Sequence, residues 1–94
     1  MQQASSMIRV SVVIPTRNRA EMLKEVVESL FEQTLDSSHY EVIVIDNCSS
    51  DNTSAAMFEL SRRSPCQFRY VPLNENRGPV YARNLGVSLA KGAV

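Results

Sequence analysis

The stretch that decides the fold is EVIVID, residues 41–46, in which four consecutive apolar side chains are followed by an aspartate. The run shows almost no alternation between apolar and polar residues, which predicts a strand that is covered on both faces. Such strands are typical of parallel sheets that carry helices on either side. A polar, turn-forming cluster, DNCSSDNT at 46–53, follows directly, so we expect the chain to leave the sheet at Asp46.

Two further stretches predict strands of the same sheet. IRVSVVI, residues 8–14, is rich in β-branched side chains. We expect Pro15 to end this strand, because proline cannot donate to a sheet ladder. QFRYVP, residues 67–72, alternates apolar and polar residues and predicts a shorter, more exposed strand.

A helix is predicted after each of these strands. An apolar stripe at helical spacing follows the first strand, and Asn18 resembles the first residue of a capping box. The second helix is predicted over about residues 51–63, with Phe58 among its inward side chains. The third begins at Pro79 and stops near Gly92. The order βαβαβα, joined by right-handed crossovers, predicts one α/β unit with a parallel sheet in the order 3-2-1 and helices on its faces.

Composition excludes several classes of function. The charges of ten basic and ten acidic side chains cancel. The chain therefore lacks the net positive field that would predict binding to nucleic acid or to an anionic membrane. The longest apolar runs fall far short of the ~20 residues that a transmembrane helix needs. Cys48 and Cys66 lack the spacing of zinc or redox motifs, so we expect free thiols in a reducing, cytoplasmic setting. Residues 1–7 are expected to form a disordered tail, and residues 8–94 one domain.

The polar loops after the three strands predict where a ligand would bind. In open α/β sheets, ligands bind at the carboxyl ends of the strands, and the loops at 15–19, 46–52 and 74–78 all reach that edge. A carboxylate there, Asp46, can accept hydrogen bonds from ribose hydroxyls or a nucleobase N–H, which favours a nucleotide. The alternative is that Asp46 only ends its strand and starts a turn. Glycine-rich dinucleotide and phosphate-loop motifs are absent from the first loop, and so is the acidic pair of a phosphorelay receiver domain.

Three short motifs carry a more specific signal. They are P-T-x-N at Pro15, Thr16 and Asn18; D-N-x-S-x-D-x-T at Asp46, Asn47, Ser49, Asp51 and Thr53; and N-x-G-x-x-x-A-R-N-x-G at Asn76, Gly78, Ala82, Arg83, Asn84 and Gly86. In this order and at these strand ends, they resemble the N-terminal, nucleotide-binding half of family 2 glycosyltransferases. The resemblance covers about residues 9–94.

The resemblance implies a Rossmann-like half-domain of the GT-A fold, and transfer of a sugar from a nucleotide-diphosphate-sugar donor to an acceptor. It places the expected nucleotide-binding residues at Pro15, Thr16, Arg17, Asn18, Asp46, Asn47, Ser49, Gly78 and Arg83. Arg17 stands where the family often has an aromatic residue, and Asn47 where many members have a second aspartate. Because an amide both donates and accepts, the second change can alter which nucleobase is preferred.

Structural alternatives remain open for several of these residues. Arg83 could pair with an acid at the surface of its helix, and Arg77 could be a solvated loop cation. Gly86 in a helix interior costs about 1 kcal/mol relative to alanine. Close packing of the helix on the sheet explains this glycine better than ligand contact does.

The resemblance also implies a metal site outside this chain. In the resembled family, an acidic D-x-D-type motif holds Mg²⁺ or Mn²⁺ against the donor diphosphate, and by likeness we expect that motif after Val94. Such a cation is expected for a full-length enzyme. A full-length protein could also lie peripherally at a membrane. Within residues 1–94 we expect no metal ligands and no catalytic residue, and therefore no catalysis by this chain alone.

Other interpretations of the chain stay open. It could be a non-enzymatic nucleotide-binding or interaction module, or a domain whose loops bind nothing. We also expect self-association through the open edge of the strand at 8–14, because an unprotected apolar edge can pair with another chain.

Overall fold

A computed structural model describes residues 8–33 and 36–94, so the tail expected at 1–7 lies outside the described residues. The elements are β1 (Val10–Thr16), α1 (Ala20–Phe31), β2 (Tyr40–Asp46), α2 (Thr53–Arg62), β3 (Gln67–Pro72) and α3 (Gly78–Leu89), with a short 3-10 turn at Ser37–His39 before β2. Among these helices, none is long and apolar enough to cross a membrane.

The sheet is parallel, with β2 at its centre between β1 and β3. Thr16 at the end of β1 lies level with Asp46 at the end of β2, and Asp46 lies level with Pro72 at the end of β3. All seven residues of β2 are buried, as the continuous apolar run predicts. The α/β class, the parallel pairing and the strand order are therefore confirmed.

Side chains that alternate along β2 enter two separate cores, one on each face of the sheet. On one face, Val42 and Val44 pack with buried side chains of α1 and α2, namely Leu23, Val27, Met57 and Leu60. On the other face, Ile43 and Ile45 pack against Ala82 of α3. A Cβ on Gly86 of α3 would overlap the side chain of Val13, so the expected close packing of this helix is confirmed.

The predicted end of the first strand is wrong, because β1 continues through Pro15 to Thr16. Alternate residues of a strand direct their backbone groups to opposite neighbours. The carbonyl of Thr16 accepts from Asn47 at the end of β2, whereas the N–H of Ser11 donates to Ala93 on the other side. Pro15 lies four residues after Ser11, so its backbone nitrogen faces the same, open side. The N–H that proline lacks is therefore not needed for pairing with β2.

Three details of the helices also differ from the predictions. Asn18 does not cap α1, which has no side-chain cap; Asp51 from the next loop accepts from the N–H of Ala20 instead, at 3.3 Å. Phe58 is 66% exposed rather than inward, since α2 buries a narrower stripe than expected. Gly92 does not stop α3, because that helix ends at Leu89.

After α3 the chain returns to the free edge of β1. Ala93 forms a parallel bridge with Val10. A buried carboxylate fixes this return: Glu41, only 1% exposed, accepts from the hydroxyl of Ser11 at 2.6 Å and from the N–H of Lys91 at 2.8 Å. The carboxylate thus ties β2, β1 and the segment after α3 together at the amino end of the sheet.

Candidate nucleotide site

A cleft of about 320 Å³ lies at the carboxyl ends of the strands. Its volume is at the lower end of the range of about 300–1,000 Å³ that is typical of ligand sites. The cleft is lined by Pro15, Thr16, Arg17, Arg19, Asn47, Asn76 and Pro79. These residues come from the end of β1, from the loops after β1, β2 and β3, and from the start of α3, so the structure brings the three sequence motifs to one place.

The loop after β1 brings two arginines into this cleft. Arg17 and Arg19 both line it and both are exposed. Within residues 8–33 and 36–94, neither guanidinium forms an ion pair. No carboxylate is among the lining residues either, so the lining favours an anionic ligand.

The carboxylate of Asp46 is engaged inside the protein. This side chain is 3% exposed and does not line the cleft. One oxygen accepts from the N–H of Ser49 at 2.9 Å, and the other accepts from the hydroxyl of Tyr70. Burial raises the pKa of the Tyr70 phenol, and the hydrogen bond to Asp46 raises it further. In this structure Asp46 therefore holds the turn after β2 and the middle of β3.

The amide of Asn47 joins the loop after β2 to the start of α3. It is 4% exposed, donates to the carbonyl of Gly78 at 2.9 Å, and accepts from the N–H of Arg77 at 3.1 Å. Gly78 has a φ of +86°, a conformation that glycine adopts at little cost, and its N–H donates to Asn76 at 2.9 Å. A carboxylate at position 47 could accept but could not donate to the carbonyl.

Asn18 and Ser49 hold the first two loops to each other. The N–H of Asn18 donates to the hydroxyl of Ser49 at 2.8 Å. The side-chain oxygen of Asn18 accepts from the N–H groups of Ser50 and Asp51, at 2.7 Å and 3.2 Å. Asn18 itself has a φ of +53°, which asparagine tolerates better than most residues. These bonds fix the loop that carries the two arginines to the loop after β2.

The predicted site residues thus fall into groups. Those that line the cleft are Pro15, Thr16, Arg17 and Asn47. Those whose side chains hold loops are Asn18, Asp46 and Ser49, and Gly78 contributes its main chain. Arg83 is exposed on α3 and is not part of the lining. For all of these residues, ligand contact stays a prediction.

Sequence reasoning missed Arg19, Asn76 and Pro79 as lining residues. Their positions in the sequence could have indicated them. Arg19 and Asn76 lie in the loops after β1 and β3, and Pro79 lies at the start of α3. Arg19 also shares its loop with Arg17, two positions earlier. A rule that includes every polar residue of the strand-end loops would have found Arg19 and Asn76.

The cation that the family resemblance implies finds no ligand set in the described part of the chain. There, no group of three or more His, Cys, Asp or Glu side chains is close enough to hold a metal ion. At the end of β2 and in the loop after it, Asp46 and Asp51 already accept hydrogen bonds from protein donors. Glu75 in the loop after β3 pairs with Arg77. These residues do not fit a metal site, and we assign no metal chemistry to them.

The acidic motif expected after Val94 stays a prediction. Val94 is 69% exposed and directly follows Ala93, which bridges to Val10 on the free edge of β1. The sequence therefore reaches the position beside β1 at its last residues, rather than ending on α3.

Known proteins share both the sequence and the fold. The family model described as "Glycosyl transferase family 2" matches residues 11–94. Glycosyltransferase AglE of Haloferax volcanii is 34% identical over 88 residues, which are 90% of this chain and 28% of that protein. The poly(ribitol-phosphate) beta-N-acetylglucosaminyltransferase TarP of Staphylococcus aureus is 33% identical over 90% of this chain and 26% of its own length.

Solved structures agree with these sequence matches. The mannosyltransferase PcManGT of Pyrobaculum calidifontis, in complex with GDP-Man and Mn²⁺, is 30% identical with a TM-score of 0.82, over 87% of this chain and 24% of that one. S. aureus TarS in complex with UDP-GlcNAc is 31% identical with a TM-score of 0.81, over 90% and 24%. The chain spans about a quarter of these proteins. The half-domain of the GT-A fold is confirmed, and the chain belongs to glycosyl transferase family 2.

Proposed function

We propose that this domain binds the nucleotide of a nucleotide-diphosphate-sugar donor, as part of a protein that transfers the sugar to an acceptor. The observation that carries the proposal is the cleft itself: residues of all three strand-end loops line it, and two unpaired arginines give it positive charge. Relatives of similar fold are in complex with GDP-Man or UDP-GlcNAc, ligands that carry the same diphosphate. A net positive cleft of this size suits such an anion.

The lining residues have different roles in this proposal. The prolines on either side, Pro15 and Pro79, offer apolar surface to the base or ribose. Thr16 and the side-chain N–H₂ of Asn76 offer hydrogen bonds to polar atoms of the nucleoside. Asp46, Asn18 and Ser49 act mainly by holding the loops, and Gly78 lets the third loop turn tightly. Arg83 reaches toward the nucleotide only if its exposed side chain folds back over the start of α3.

The contribution of the described residues to the reaction is binding and orientation. Displacement at a sugar carbon needs a base for the acceptor hydroxyl and charge compensation on the leaving diphosphate. No carboxylate lines the cleft within residues 8–33 and 36–94, so we assign no general base there. The bound divalent cation that relatives can carry would compensate the diphosphate charge from ligands other than these residues.

An NMR titration of the isotope-labelled chain tests this function. We expect UDP, GDP or dTDP to shift the backbone signals of Thr16, Arg17 and Asn76, with Mg²⁺ present and also in EDTA. Thr16→Val removes one hydroxyl at constant shape and should weaken binding about threefold to tenfold. The control Ser88→Ala, exposed near the end of α3, should bind as the parent does. No shifts at millimolar nucleotide, or shifts confined to the opposite edge of the sheet, would contradict the proposal.

The free edge of β1 supports a proposal of self-association. Ala93 already pairs with the first half of β1 and Pro15 offers no N–H, so the open part is shorter than the predicted 8–14. Apolar surface continues from this edge onto α1, where Met22 is 56% and Val26 is 44% exposed. We therefore propose that two copies meet along β1 and α1.

Light scattering tests this association. Val26→Lys should shift the chain toward the monomer, because it puts a charge into the contact, whereas Glu25→Lys on the exposed side of α1 should not. A parent chain that stays monomeric at high concentration would overturn the proposal. We further propose that residues 8–94 form one unit. Two unpaired cysteines, Cys48 and Cys66, fit a cytoplasmic setting for that unit.

A further inference from the structure

We propose that Arg17 and Arg19 form an anion site that contacts the donor's phosphate groups directly, so that this chain by itself binds a diphosphate without a divalent cation. This inference rests on the proposed function, and it assigns the charged part of the donor to two residues of this chain. It goes beyond the nucleoside contacts expected from the sequence motifs, among which Arg19 has no place. Four observations carry it.

The first observation is that both arginines line one cleft on a loop that is held in place. Asn18, between them, is bonded through its N–H to Ser49 and through its side chain to Ser50 and Asp51. Because Asn18 is held through both its main chain and its side chain, the backbone of the neighbouring residues 17 and 19 has little freedom to move. Two guanidinium groups are thus presented to the same space at a low entropic cost of ordering the loop.

The second observation is that neither guanidinium forms an ion pair within the described residues, in contrast to two arginines elsewhere in the chain. Arg63 pairs with Glu28 at 2.7 Å, and Arg77 pairs with Glu75 at 3.0 Å. Within the described residues, Arg17 and Arg19 have no such carboxylate partner. A guanidinium presents a rigid fork of N–H donors that matches phosphate oxygens, so a free pair in one cleft suits a diphosphate.

The third observation is that no carboxylate of the described residues lines the cleft beside the pair. Asp46 accepts from Ser49 and Tyr70, and it is buried away from the cleft. Asp51 accepts from the N–H groups of Ala20 and Thr53. These bonds hold both carboxylates to the loops and to β3, outside the lining of the cleft. In the part of the chain that the structure describes, the only charged side chains that line the cleft are the two arginines.

The fourth observation is that two helices begin at the cleft. Arg19 directly precedes α1, and Pro79 lies in the first turn of α3. The side chains of Asp51 and Asn76 each accept from one N–H at these helix starts, so the helix dipoles add only a small positive contribution to the field of the arginines. The helix ends reinforce the site and do not by themselves define it.

Calorimetric titrations in EDTA test the site with three kinds of probe: pyrophosphate alone, the nucleosides uridine and guanosine, and the diphosphates UDP and GDP. We expect Arg17→Gln and Arg19→Gln each to weaken pyrophosphate and diphosphate binding about threefold to tenfold. Nucleoside binding should stay within about twofold of the parent. Higher NaCl should weaken diphosphate binding and leave nucleoside binding nearly unchanged, because salt screens exposed charges.

Arg62→Gln is the matched control. It removes the same charge from the last turn of α2, at the opposite edge of the sheet from the cleft, where Arg62 lies over the ring of Phe58. It should leave the binding of every probe unchanged. Dispersed amide spectra of all variants would show that the exposed substitutions leave the fold intact.

The outcomes separate this inference from the proposed function. If UDP or GDP binds but both arginine variants bind it as the parent does, the function stands and the anion site is refuted. If diphosphates bind only when Mg²⁺ is added, the anion site is likewise refuted. In a third outcome, pyrophosphate binds through the arginines, nucleosides do not bind, and UDP and GDP bind no more tightly than pyrophosphate. The anion site then stands and the proposal of nucleotide binding fails.

Discussion

The side-chain amide of Asn47 donates to the main-chain carbonyl of Gly78 at 2.9 Å, and so ties the end of β2 to the first turn of α3. The same amide accepts from the N–H of Arg77, so both of its hydrogen-bonding functions serve one loop. This connection closes one wall of the cleft. It also gives a physical reason for an amide rather than a carboxylate at this position, because only an amide can satisfy a donor and an acceptor together.

Replacing Asn47 by aspartate should therefore destabilise the chain. Asn47→Asp removes the donor to Gly78 and brings a carboxylate oxygen against a carbonyl oxygen in a buried place. We expect a loss of about 1–3 kcal/mol in the free energy of unfolding, measured by urea denaturation. The control is Asn84→Asp, the same change at an exposed position of α3, which should stay within about 0.5 kcal/mol of the parent. Equal midpoints for both variants would contradict this account.

Tyr70→Phe tests the link between β3 and the end of β2. Without the phenol, one oxygen of the buried Asp46 carboxylate loses its donor, and we expect a loss of about 1–3 kcal/mol at pH 7. Tyr81→Phe is the control, since Tyr81 is 42% exposed. A parent-like urea midpoint for Tyr70→Phe would show that the bond to Asp46 contributes nothing.

The pH dependence of stability gives a second test of the same link. Burial and the bond to Asp46 raise the pKa of Tyr70 above its ordinary value of 10.0. The folded chain therefore keeps a proton that the unfolded chain releases, and stability falls as the pH rises above that value. We expect the parent to lose more stability than Tyr70→Phe between about pH 10 and pH 11.5, in parallel urea titrations. Parallel curves for the two proteins would count against a raised pKa in the folded state.

A pair of substitutions at Asn18 separates its backbone role from its side-chain role. Both Asn18→Gly and Asn18→Ala lose the bonds to Ser50 and Asp51, but only alanine is strained at a φ of +53°. We expect alanine to be less stable than glycine by about 1 kcal/mol, offset in part by the greater flexibility of glycine when unfolded. The measurement is thermal unfolding of both variants. Alanine as stable as glycine would contradict a left-handed conformation at this residue.

Gly86→Ala probes the contact between α3 and β1. Alanine is the better helix former, but its Cβ would overlap Val13 and lie 3.4 Å from Ile45. Overpacking of this kind costs about 1–3 kcal/mol, which exceeds the gain of about 1 kcal/mol in helix propensity. We expect a lower unfolding midpoint for Gly86→Ala, and an unchanged or slightly higher one for Ser88→Ala on the exposed side of the helix. A stabilised Gly86→Ala would mean that α3 packs less closely than described.

Much of the fold could be predicted because the signals are local. The continuous apolar run marks β2 as central, and β3 begins and ends where alternation and proline predict, at Gln67–Pro72. The error at Pro15 arose because a proline is harmless on an open strand edge, and the sequence does not show which side of a strand is open. The missing cap of α1 has a similar cause: the oxygen that accepts from Ala20 belongs to Asp51, which is distant in sequence.

The candidate site was predicted in place but less well in detail. Three polar loops at one sheet edge were enough to locate the cleft, because parallel strands end together. The internal partners of Asp46 and Asn47 could not be predicted, since Tyr70 and Gly78 are brought near only by the register of the strands and the path of the third loop. The free charge of Arg17 and Arg19 likewise depends on which acids are engaged elsewhere.

Intermolecular NOEs between a bound nucleoside diphosphate and the labelled chain would locate the nucleotide in the cleft directly. With UDP or GDP near saturation in EDTA, we expect NOEs from the ribose and base protons to Thr16 and Pro79. The phosphorus signals should shift in the parent and shift less in the Arg17→Gln, Arg19→Gln double variant. Ribose or base NOEs to residues outside the strand-end loops, or saturating nucleotide without any NOE to the cleft, would contradict this placement of the nucleotide.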